Sequence, residues 1–133
     1  MTSASTQKTS LRTAEIHLRE DGIVHVKIRK GIVQTMDDAR LNLDTAVALR
    51  GGQKRPILID LRVAEPLETV IRHHYSGTKL SEWFDGLALV VSGSPFGRMM
   101  GNIYLKVAKP YVPIRLFEDP DVASSWLREI AIK

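Results

Sequence analysis

The chain has 133 residues, enough for one domain with a core that needs no covalent staples. It has no cysteine, which excludes a disulfide framework, thiolate catalysis and cysteine-ligated metal. The net charge of +4 is scattered apart from a short cluster at Lys27, Arg29 and Lys30, so it reads as a solvated surface and not as a nucleic-acid stripe.

Residues 1–12 are polar, rich in Ser and Thr, and without periodicity; a disordered tail is expected there, followed by one domain over 13–133. The tail lacks the apolar stretch of a signal peptide, and no run reaches the ~18 apolar residues of a membrane span. A cytoplasmic chain that does not span a membrane is the expectation.

Ala14–Arg19 and Ile23–Arg29 alternate and read as strands joined at Glu20-Asp21-Gly22. A three-residue loop with Gly22 left-handed sets Ile16 against Val26 and Leu18 against Val24, all apolar on one face. It also sets His17 opposite His25, expected as a solvated pair because two His without a third ligand hold metal poorly. Thr35 with Asp38 resembles a capping box. It opens a helix over 36–50, with Met36, Ala39, Leu43, Ala46, Val47 and Arg50 on one side and Gly51-Gly52 as its stop.

Pro56–Leu61 reads as a central strand buried on both faces. Pro66 opens a second helix, with Leu67, Val70, Ile71 and His74 facing inward; Leu80–Phe84 reads as a further helical turn. His73 and His74 are adjacent, so they point about a hundred degrees apart, and no nucleophile motif accompanies them. Leu87–Val91 is a second buried strand. A third helix follows, with Ser94 as N-cap and Pro95 at its first position. Its apolar stripe is Phe96, Met99, Met100, Ile103, Tyr104 and Val107, and Arg98 and Asn102 lie on the other side. Val112–Phe117 reads as an edge strand because Pro113 lacks an N–H donor. Asp119-Pro120 opens a last helix that turns Val122, Ala123, Trp126, Leu127 and Ile130 inward.

The order β, β, α, β, α, β, α, β, α demands a largely parallel sheet with right-handed crossovers. The expected fold is α/β: a mixed five-stranded sheet, an opening antiparallel hairpin, and four main helices. Together with Asp21-Gly22, Met36-Asp37-Asp38-Ala39, Leu58-Ile59-Asp60-Leu61-Arg62 and Ser94-Pro95-Phe96-Gly97-Arg98 through Gly101-Asn102, that order resembles the STAS-like fold of anti-anti-sigma factors. The nearer likeness is to uncharacterised bacterial single-domain members. The resemblance implies a non-catalytic regulatory or interaction module. Those factors carry a phosphorylatable hydroxyl where this chain has Asp60-Leu61-Arg62-Val63-Ala64-Glu65-Pro66, so switching by phosphorylation is not implied.

The candidate binding site is an anion site at the helix start, Ser92, Ser94, Arg98 and Asn102, beside Asp60 and Arg62. Free N–H groups, the helix dipole and a guanidinium would favour a phosphate or carboxylate there. Asp60 lies in an apolar strand and needs a partner, for which Arg98 is the candidate. The alternative function is therefore binding of a small anion, nucleotide or lipid headgroup. No catalytic residue, metal or cofactor is expected. A protein partner and a homodimer through the hairpin side or the Pro113 edge fit the reading, and nucleic acid does not.

Overall fold

The computed structural model describes residues 8–65, 70, 71, 82–94 and 113–132. Strand β1 is Lys8–Ser10, β2 Ala14–Leu18 and β3 Val24–Ile28; helix α1 is Met36–Leu49. Then come β4 (Arg55–Asp60), β5 (Phe84–Val90), β6 (Ile114–Phe117) and helix α2 (Pro120–Ile132). The six strands lie in chain order, β1 to β6, in one mixed sheet. β1–β2 and β2–β3 are antiparallel, and β3–β4, β4–β5 and β5–β6 are parallel.

The sheet therefore has six strands where five are expected. The extra one comes from the stretch read as a disordered tail: Lys8–Ser10 pairs with β2, Thr9 opposite Ile16. Three polar residues held by backbone bonds leave no hydropathy signature. The expected hairpin register holds throughout, with Ile16 opposite Val26 and Leu18 opposite Val24. Gly22 has φ +83°, and a Cβ there would stand 3.1 Å from the Arg55 guanidinium. The turn is fastened to α2: Asp21 accepts from Arg19 at 2.7 Å and from Arg128 at 3.0 Å, and Arg19 also donates to Ser124 at 3.0 Å. Burial pushes the Asp21 carboxyl up, but the two guanidiniums and the Ile23 amide outweigh it, and its pKa is lowered.

α1 begins as the capping box predicts: the Asp38 amide donates to the Thr35 hydroxyl at 3.2 Å and the Thr35 amide to the Asp38 carboxylate at 2.9 Å. Arg12 closes on the same carboxylate, and its hydrogen bonds hold Asp38 well below the usual carboxylate range. α1 buries Ala39, Leu43 and Ala46 on the sheet face formed by Ile16, Val24, Val26, Ile57, Ile59, Leu87 and Leu89. It also buries Asn42, which donates to the equally buried Thr13 hydroxyl at 2.9 Å.

α2 covers the opposite face, where Ala123 and Leu127 pack on Leu58, Ala88, Val90 and Phe117. Asp119 caps it, accepting from the Asp121 amide at 2.8 Å. Val122, expected inside, is 54% exposed: Ala123 and Leu127 define the inner line, and Val122 lies a hundred degrees off it. The same geometry separates Ile71, which is buried, from Val70, which is exposed and not inward as expected. β5 starts three residues before its expected first residue, so Phe84 is strand and not helical turn. β6 closes the described sheet as the expected edge strand, directly after Pro113. The second helix (beyond residues 70 and 71, which are helical) and the whole Pro95–Val107 ridge lie outside the described residues, so α1 and α2 are the helices bounded here.

Candidate functional site

Parallel strands β3 to β6 end on one edge of the sheet, and most of the predicted site residues stand there. β4 is apolar between Arg55 and its last residue, Asp60, which shares the α2 face with Leu58 and is 4% exposed. A buried carboxylate needs charge and hydrogen bonds around it. Arg62, two residues on, supplies both. Its Nε donates to Asp60 at 3.0 Å, its terminal nitrogen at 2.7 Å, and its backbone N–H at 3.1 Å. Burial raises the Asp60 pKa, but these bonds and the Arg62 charge outweigh it, and the net shift is downward. The same fork raises the pKa of Arg62. The candidate partner Arg98 and the site residue Asn102 lie outside the described residues, as do His73 and His74. The partner the structure shows is local.

Beyond β5, Ser92 is half-buried and Ser94 exposed, their hydroxyls 2.8 Å apart. Beyond β6, the Glu118 carboxylate lies over Gly93, where a Cβ would meet its oxygen at 2.7 Å. The β4 and β5 ends are tied together by the Leu61 amide, which donates to Val90 at 2.8 Å, and the Val91 amide reaches Phe117 at the same distance. The rim is thus held rigid by backbone bonds, with Arg62 and Val63 facing out.

His17 and His25 do face each other across β2–β3, rings stacked with centroids 6.1 Å apart. They are not the solvated pair expected from sequence. Burial, with the Arg19 charge next, pushes His25 down to about 4, although Asp60 pulls the other way. Its Nε2 is buried without a partner among the described residues. Burial, then Lys8 and Arg19, also lowers His17. Both rings are therefore neutral near pH 7. Among the described residues no three His, Asp or Glu side chains gather in a way that could hold a metal ion.

One feature of the rim escaped the sequence reading. A cavity of about 400 Å³ opens where β3 ends, lined by Glu15, Lys27, Arg29, Lys30, Ile32 and Val63. The triplet Lys27, Arg29 and Lys30 was its visible signal, and the loop from β4 that closes it was not.

No helix among the described residues is long and apolar enough to cross a membrane. No curated protein and no solved structure matches the chain. Residues 16–131, from the middle of β2 to the end of α2, match a family described as a domain of unknown function, and the chain belongs to that family, DUF7793.

Proposed function

We propose that the chain is a non-catalytic regulatory or interaction module of STAS-like type, which binds a protein partner at the β4 exit. Support for the fold likeness is the antiparallel opening followed by parallel strands in chain order. The observation that carries the function is the state of Asp60. Its carboxylate is saturated by Arg62 and kept ionised, so it is neither a proton donor nor a free base. What the exit loop presents is a fixed ion pair with Arg62 partly exposed and Val63 43% exposed beside it. An apolar side chain beside a pre-ordered guanidinium suits recognition better than turnover.

The test is purification of the tagged chain from its own host, wild type beside Val63→Asp. A protein that accompanies the wild type in fixed ratio and is lost from the folded variant is the expected result. Turnover of a small molecule with no accompanying protein, or a partner that ignores the variant, would reject the proposal. In the same reading the chain works in the cytoplasm. A second copy could add to the β6 edge, a state that light scattering on the purified chain reads directly.

A further inference from the structure

We propose that the corner where β3 leaves the sheet binds a phosphate monoester carried on a short apolar group. The site is separate from the partner surface above and shares only Val63 with it. Its position is one that ligands favour, beyond the carboxyl ends of neighbouring parallel strands. A cavity of about 400 Å³ stands there, within the range of ~300–1,000 Å³ usual for small-molecule sites.

The charge of the lining selects the ligand. Arg29 is already committed: it faces Glu15 at 3.5 Å, donates to the Leu11 carbonyl at 3.0 Å and reaches the Ser10 hydroxyl. Lys27 and Lys30 are exposed and make no ion pair with any described acid. Lys27 lies in register with two acids, Asp60 across β3–β4 and Glu15 across β2–β3, but the first carboxylate is filled by Arg62 and the second is faced by Arg29. Two ammonium groups are thus left over beside one neutralised pair. A monoester phosphate carries nearly two negative charges at pH 7 and has three acceptor oxygens. Ammonium groups meet it as point charges and need no planar fork. The rest of the lining is apolar. Gly31, at φ +75°, turns the chain between Lys30 and Ile32, and Ile32 and Val63 offer a surface to a short hydrocarbon. A fully polar phosphate would leave those two residues unused.

The phosphate could arrive on a soluble molecule or on a lipid headgroup, and two probes separate these. The amide spectrum of the full chain is followed during titration with n-butyl phosphate, with n-butylammonium as the control of opposite charge. Binding to phosphatidylcholine vesicles is measured with and without phosphatidate. Saturable shifts at residues 27–32 and 63 with butyl phosphate alone are the expected result. Lys27→Glu with Lys30→Glu should weaken that binding by at least about tenfold, the loss of one charged hydrogen bond or more. If the double charge reversal perturbs the fold, Lys27→Gln and Lys30→Gln taken singly should each give part of the loss. Phosphatidate-dependent vesicle binding that the same variants abolish, without a response to butyl phosphate, would support the site and assign the phosphate to a lipid. Shifts that do not saturate, shifts centred on other residues, equal binding by the variants, or silence toward both probes would overturn the proposal.

Discussion

β3 and β4 are neighbours in the sheet, and each carries a charge within its last two residues, but they treat it in opposite ways. Asp60 at the end of β4 is buried and takes three hydrogen bonds from one residue of its own loop. Lys27 stands beside it in register and donates none of them. The contrast shows that a charge satisfied locally serves the fold, while the charge it leaves unmatched remains free for something else. A cross-strand Lys27–Asp60 pair would have consumed both.

The largest effect that sharpens this contrast is expected from Arg62→Ala. It removes two charged hydrogen bonds from a buried carboxylate while the backbone N–H stays, and should cost about 2 kcal/mol at neutral pH, less than for a fully buried pair because Arg62 is partly exposed. The deficit should shrink in acid. The wild-type Asp60 pKa is lowered, so its contribution is present above the ordinary value of 3.8 and is lost as pH falls through the lowered one. Urea unfolding of both proteins at neutral and acid pH checks this.

His25 is next. Between its ordinary value of 6.5 and about 4, the unfolded chain binds the proton that the folded chain refuses. Stability should therefore fall as pH drops through that window, by about 2 kcal/mol after allowing for partial solvent access. His25→Gln should flatten that part of the curve if the ring is as enclosed as its buried Nε2 indicates. Thr35→Ala, which removes half of the capping box, should cost about 1 kcal/mol in the same assay. The smallest effect belongs to Lys27→Gln with Lys30→Gln, which should change stability by no more than about 0.5 kcal/mol because no contact is lost and no like charge is set against Glu15 or Asp60.

Much of the fold was legible because alternation and turn chemistry agree. Ile16, Leu18, Val24 and Val26 can share a face in only one register, and Gly22 supplies the φ that this loop needs. The capping box at Thr35 and Asp38 was legible for the same reason. Other features depend on residues far apart in the chain. Gly86 breaks the strand pattern of β5, yet it pairs with Pro56 of β4, and the Ile130 side chain of α2 comes within 3.1 Å of where a Cβ would stand. Asn42 sits on the buried side of α1 because Thr13, from another element, accepts its hydrogen bond. At the site, Ser92, Ser94, Asp60 and Arg62 were placed on the correct edge of the sheet. Asp60's partner was sought across the sheet and found two residues away, since a strand that ends at Asp60 lets the next turn fold its own arginine back. The basic triplet looked like a solvated face because a cavity needs a second wall, and that wall, Val63, comes from a different strand's exit.

The most direct measurement is thermal unfolding of wild type, Arg62→Ala and Lys27→Gln with Lys30→Gln, each with and without n-butyl phosphate. A ligand at a hundred times its dissociation constant adds about 2.7 kcal/mol, several degrees for a domain of this size. Arg62→Ala should melt lower than wild type and still rise with the ligand, whereas the lysine variant should melt near wild type and not rise. A lysine variant that melts well below wild type, or an Arg62→Ala protein that no longer responds to butyl phosphate, would contradict the division between a charge that holds the fold and charges left free to bind.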